Sequence, residues 1–299
     1  DSLFVSGDGA RVSQRFQLVD PGLRAVASKA GQTQVRTGGG ARGARQGGLE
    51  QLELLGLSEQ GPRVADEALM LLDAPECPSG RQDLLLTPGQ MALQIHESIG
   101  HPLELDRILG DERNYAGTSF VTPDMFGHYR YGSSLLNVTF DPHCATEAAC
   151  YGFDDEGTRA ERVHLIRDGV LVRPLGGLTS QARAGLPGTA NARACDWDRP
   201  PIDRMANLNI EPGNQSFDAL VAGVEHGVMM DTNRSWSIDD SRNKFQFGCE
   251  MGRLIIDGEL GPVVRNPNYR GISSTFWRSL AGVGDRDSFE VHGVTNCGK

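Results

Sequence analysis

Two Asp-Gly pairs, each set between apolar runs, constrain this chain more than any other local feature. Arg162-Val163-His164-Leu165-Ile166 and Val170-Leu171-Val172 flank Arg167-Asp168-Gly169. Leu254-Ile255-Ile256 and Val263-Val264 flank Asp257-Gly258-Glu259-Leu260-Gly261. A type I′ two-residue hairpin turn needs positive φ at both central positions, which Asp tolerates and Gly adopts freely. Each pair therefore specifies antiparallel strands, and the shared pattern L-I-x-D-G-x-L hints at internal duplication. The first residues alternate like strands too, at Leu3-Phe4-Val5, Arg15 to Val19 and Ala25-Val26-Ala27.

Helices are fewer. Val64, Ala65, Ala68, Leu69 and Leu72 recur at helical spacing over Pro62 to Leu72. Leu84-Leu85-Leu86 reads as a short buried strand, followed by Thr87-Pro88-Gly89-Gln90. That tetrapeptide predicts a helix start with a Thr cap, Pro at the first position and a reciprocal Gln, a capping box. Met91, Ala92, Ile95 and Ile99 form the apolar face of this helix, with His96 and Glu97 off it. A further helix is expected from Phe217 to Val228, capped by Asn214-Gln215-Ser216. The expected class is α+β, rich in antiparallel sheet and hairpins. Residues 1–60 are expected to be a β-rich segment ending an N-terminal domain, and 61–299 a catalytic domain.

The run from Gly38 to Gly48 lacks G-x-x-x-x-G-K-[ST], so it reads as a flexible connecting loop rather than a phosphate cradle. Net charge is −10, and no basic cluster with interleaved aromatics offsets it, which disfavours nucleic acid. No run of 18 apolar residues occurs, so no helical membrane span is expected. The six cysteines include no C-x-x-C pair and are sparse, favouring reduced thiols in the cytoplasm.

Chemistry concentrates in His96-Glu97-Ser98-Ile99-Gly100-His101. A zinc hydrolase needs two or three His or thiolate ligands, an open position for water and a carboxylate beside it. On a regular helix, residues five apart diverge by about 140°, too far to share an ion. A local π-type widening brings i and i+5 onto one face. Gly100 and Pro102 favour such a distortion by loosening the backbone and disfavouring regular geometry at His101. The plainer reading is an exposed polar pair and a His at a helix C-terminus. Glu104 and Asp106 would either orient the histidines or face water. A third ligand is required, and composition leaves it open among His128, His143, His164, His226, His292 and the thiols. His164 and Cys249 read as strand residues; Cys195 and Cys297 sit in polar loops.

The chain resembles the TldD/PmbA family of zinc peptidases over nearly its whole length. The likeness is carried by His96 to Asp106 (H-E-x-x-G-H-x-L-E-x-D), Asp154-Asp155-Glu156-Gly157-Thr158, Arg204-Met205-Ala206-Asn207 with Pro212-Gly213, and Asn296-Cys297-Gly298-Lys299. The resemblance implies that His96, His101 and Cys297 hold Zn2+, with Glu97 as general base. It also implies a homodimer, or a heterodimer with a family member lacking the zinc motif. Substrates would be unfolded peptides bound as an added strand, with Arg204, Met205 and Asn207 as the candidate groove wall. Pro102 departs from the glycine common in relatives. The family's N-terminal helical region and final strands are not found, so the chain reads as a fragment. The rival expectation is a non-catalytic subunit that binds peptides or a partner protein.

Overall fold

The computed structural model describes residues 1–39, 42–295 and 297. Two sheets organise most of it. Both Asp-Gly pairs make the expected hairpins, with Asp168 and Gly169 at φ 48° and 76° and Asp257 and Gly258 at φ 50° and 80°. The first hairpin belongs to a four-stranded sheet ordered Val170–Leu171, Val163–Arg167, Val138–Phe140 and Leu208–Ile210. The second belongs to a five-stranded sheet, in which Glu259–Arg265, Lys244–Ile256, His226–Ile238 and Asp83–Leu86 follow in order. Its fifth strand, Asn268–Ile272, pairs with the far end of Lys244–Ile256. Pairing is antiparallel except at Asp83–Leu86, which runs parallel to residues 227–230.

Helix Pro88–Ile95 joins the cores of the two sheets. Leu93 packs with Val228, Phe247 and Tyr269 of the five-stranded sheet. Met91, Ile95 and Ile99 pack against Val138, Phe140 and Leu165 of the other. The expected capping box is not formed, although Thr87 and Pro88 occupy the expected positions. Thr87 Oγ1 donates instead to Asp231 Oδ1 at 2.6 Å, and Gln90 Nε2 to the Tyr269 hydroxyl at 2.8 Å. Gln90 is wholly buried, and its Oε1 accepts from Asn233 Nδ2 at 3.3 Å. Thr87 N–H donates to Met230 O, so tertiary partners replaced both ends of the local bond.

Other boundaries moved as well. The helix expected from Pro62 begins at Leu57 and runs to Asp73, with Pro62 inside it. A helix at Phe217–Ala222 is capped by Ser216, whose hydroxyl accepts from Ala219 N–H. It stops at Gly223 rather than Val228, because Val228 is claimed by strand His226–Ile238 beside Leu84. Near the N-terminus, hairpin Leu23–Lys29 and Gln32–Gly38 is tied to the five-stranded sheet by Arg36. This buried guanidinium meets Glu67, Asp231 and Glu250 at 2.9, 2.7 and 3.3 Å. No described helix is long and apolar enough to cross a membrane.

Candidate metal centre

After Ile95 the helix widens into a five-residue π-helix, His96–Gly100, and His101 N–H donates to His96 O. This is the i+5 register that the motif spacing requires. Ser98 explains the widening. Its hydroxyl donates to Gln94 O at 2.6 Å, competing with the backbone donor a regular turn would use. Trp277 Nε1 donates to the same hydroxyl at 3.0 Å, and the Tyr131 hydroxyl donates to Ser98 O. Side chains are thus inserted into the helical ladder, a recognised cause of irregular turns. Gly100 serves a purpose other than the expected backbone freedom. Its φ of −56° is ordinary, but an added Cβ would lie 2.7 Å from Met205 Sδ. Pro102 sits in the short 3-10 turn His101–Leu103 that follows.

The two imidazoles meet edge to face, with centroids 4.7 Å apart. Cys297 Sγ lies 3.3 Å from His96 Nε2 and 3.4 Å from His101 Nε2. Tetrahedral zinc, with bonds of about 2.3 Å to sulfur and 2.0–2.1 Å to nitrogen, would separate S and N by about 3.5 Å. The three donors therefore fit zinc. Glu104, which is fully buried, accepts from His101 Nδ1 at 3.0 Å, leaving Nε2 free for a metal. Arg107 Nε and Nη2 hold the same oxygen at 3.2 Å. Burial pushes the Cys297 thiol up, but hydrogen bonds and charge from His101 and His96 outweigh it and bring it down to about 5. The thiolate, the metal-binding form, is favoured at neutral pH. Burial pushes His101 down, while Glu104 and Cys297 more than offset this and raise it.

Glu97 is buried and bonded to a residue that the sequence reading missed. Arg242 Nη1 donates to Glu97 Oε2 at 2.8 Å, and its Nη2 to Ala116 O at 3.1 Å. Arg242 sits in a turn at φ 62°, 145 positions away from Glu97, so no local pattern could have paired them. Asp106 lies one step further from the histidines. Its carboxylate accepts from Arg107 N and Asp203 N, while Asp203 Oδ2 accepts from Asp106 N at 2.8 Å. Segment 203–205 is thereby locked: Met205 N donates to Glu104 Oε1 at 3.0 Å, and Arg204 Nη2 donates to Cys297 O. Asn207 is committed to a neighbouring loop, accepting from Ala149 N and donating to Asp141 O.

The glycine-rich run is not merely a flexible connector. Gly40 and Ala41 lie outside the described residues, but Gly43 pairs with Gly293, Ala44 N donates to Gly293 O, and Gly293 N donates to Arg42 O. Arg45 Nη2 donates to Val291 O at 2.8 Å. The run thus holds the segment that delivers Cys297. The approach requires glycine, since a Cβ on Gly293 would lie 2.1 Å from Ala44 O. Asn296, Gly298 and Lys299 of the last motif lie outside the described residues.

His96, Cys297, Arg204, Met205 and Asn207 line a cleft of about 1250 Å³. Residues of Asp83–Leu86 and Leu208–Ile210, the terminal strands of the two sheets, line it as well. Of the other ligand candidates, Cys249 is buried in a strand against Gln90, Cys195 is exposed, and Cys150 donates to Cys144 O. His164 lies in strand Val163–Arg167.

Glu147, also on the cleft, has a buried Oε1 without a partner, and burial is the main cause pushing its carboxyl up to about 7. A raised carboxyl contributes its stability when protonated, fully below the ordinary carboxylate range, and loses it as pH rises through about 7. Glu147→Gln is therefore expected to stabilise the protein by about 1–3 kcal/mol at pH 8–9 and to have little effect below pH 4. Thermal unfolding across pH checks this, and a pH-independent difference would refute it.

The family profile described as PmbA/TldA metallopeptidase C-terminal domain matches residues 79–298. A metalloprotease of Methanothermobacter thermautotrophicus is 31% identical over all of this chain and 62% of its own length. One from Methanocaldococcus jannaschii is 29% identical over 90% of this chain and 56% of its own length. The fold is similar to that of TldE from Thermococcus kodakarensis, with a TM-score of 0.68 at 16% identity, covering 93% of this chain and 60% of that one. The chain thus spans about 60% of the length of these proteins.

Proposed function

Because this chain belongs to the PmbA/TldD metallopeptidase family, whose curated relatives bear the name metalloprotease, we propose that it is a zinc-dependent peptidase acting on extended peptides. The observation that carries the reading is the convergence of His96 Nε2, His101 Nε2 and Cys297 Sγ within 4.8 Å of one another. His96, His101 and Cys297 would hold the zinc, which would contribute Lewis acidity toward water and a peptide carbonyl. Glu97 takes the proton from the attacking water and returns one to the leaving amine. Arg242 holds Oε2 of Glu97 and so fixes the carboxylate's position beside His96 in the chain. Glu104 keeps the His101 proton on Nδ1. The cleft lies beside two sheet edges, which suits a substrate added as a strand.

A second family member is the proposed partner, as a homodimer or with a TldE-like subunit. The cytoplasm is the proposed setting, given that Cys77, Cys144, Cys150, Cys195, Cys249 and Cys297 are all free thiols. The test is to quantify metal in freshly purified full-length protein and follow peptide hydrolysis through chelation and zinc return. About one zinc per chain, with activity lost and restored in step, is expected. Hydrolysis indifferent to chelation would reject the reading, and binding without hydrolysis would favour a non-catalytic subunit.

A further inference from the structure

The strand pair beside the metal centre carries two guanidinium groups, Arg193 and Arg204, and the bond from Arg204 Nη2 to Cys297 O leaves the other terminal nitrogen of Arg204 unused. Residues 192–193 pair with 202–203 in an antiparallel register that continues to Asn191 and Arg204, where Arg204 N donates to Asn191 O and Asn191 Nδ2 to Arg204 O. Opposite residues share a face, as do residues two apart on one strand. Arg193 and Arg204 are therefore diagonal neighbours on one face, within reach of each other. Both line the cleft with His96 and Cys297. Arg193 is exposed, whereas Arg204 is 4% exposed and its Nη1 is buried without a partner.

Three carboxylates around the metal centre already have partners. Glu104 serves His101 and Arg107, Glu97 serves Arg242, and Asp203 accepts from Asp106 N and Gly177 N. Burial and the like charge of Arg204 both disfavour the Arg193 cation, and Tyr151, Cys297 and Glu104 offset them only in part. Zinc held by one thiolate and two neutral imidazoles would add a further net positive charge beside them. In a chain of net charge −10, this concentration of positive charge stands out. Guanidinium groups bind planar oxyanions in a bidentate fashion, and in an unmodified peptide substrate that oxyanion is a carboxylate.

We propose that Arg193 and Arg204 form a carboxylate-recognition site beside the metal centre, so that preferred substrates carry a carboxylate next to the scissile bond. The proposal rests on the peptidase reading and names the substrate class of that site. The carboxylate comes from either a free chain terminus or an acidic side chain.

The test uses full-length, zinc-loaded protein carrying Glu97→Gln, so that binding is read without turnover. Fluorescence anisotropy is measured with one labelled hexapeptide in three forms: free C-terminal acid, C-terminal amide, and amide with an internal Asp. The acid or the Asp form is expected to bind at least about tenfold tighter than the plain amide. Which of the two gains identifies the source of the carboxylate. Arg193→Gln, at an exposed position, should abolish the preference with zinc content unchanged. Arg204→Lys is the second variant, scored against its own zinc content because Arg204 also bonds Cys297 O. Equal binding of all three forms, or a preference that survives in both variants, overturns the proposal. Zinc content and chelation are read separately, so failure of the peptidase reading is distinguishable from failure of this one.

Discussion

Replacing Cys297 with alanine is expected to lower zinc affinity by roughly two to three orders of magnitude and leave the fold intact. A four-ligand zinc site gathers about 10–16 kcal/mol, so one ligand accounts for about 2.5–4 kcal/mol. Cys297 is half-buried at the end of the described chain, and its segment is held by backbone bonds at Gly293 rather than by the thiol. Loss of the thiolate should therefore empty the site without unfolding it. Metal analysis, competitive chelator titration and circular dichroism read the two effects separately. Undiminished zinc affinity in Cys297→Ala would mean that the third ligand lies elsewhere. It would remove the structural basis of the proposed centre.

Glu97→Gln is expected to give the complementary result, with zinc retained and turnover reduced by about 10²–10⁴-fold, the usual weight of a positioned general base. The amide keeps the shape of the carboxylate and an oxygen that can still accept from Arg242 Nη1. It cannot take a proton from water. Loss of the ion pair costs some local order, so Arg242→Gln is a useful comparison. If Arg242 only positions the base, its loss should lower kcat less than Glu97→Gln does, with zinc content constant. Unchanged turnover in Glu97→Gln would remove that residue from the mechanism.

Much of the fold could be read locally, for a physical reason. Asp-Gly turns force positive φ, and Ser216 caps a helix through its own hydroxyl, so both act within a few residues. The need for a π-type turn was legible for a similar reason, since helical geometry fixes where residues five apart must point. What failed was competition from distant partners. Thr87 and Gln90 gave up a capping box for Asp231 and Tyr269, and Val228 left a predicted helix for a parallel strand pair. The glycine-rich run looked like a connector because backbone bonds to Gly293 carry no side-chain signature.

By itself, then, the sequence determined the antiparallel hairpins, the geometric need for a widened turn if His96 and His101 share an ion, and the residue types able to bind a metal. Resemblance, rather than spacing, singled out Cys297 among the candidate thiols. Only the tertiary structure decided that Cys297, 201 positions from His96, lies at ligand distance. It also decided that Arg242 meets Glu97, and that Gly43 and Gly293 bring the chain end back to the histidines. Local dihedral preferences act over a few residues and can be read from the sequence. A site closed by backbone contacts between distant segments depends on how the whole chain packs.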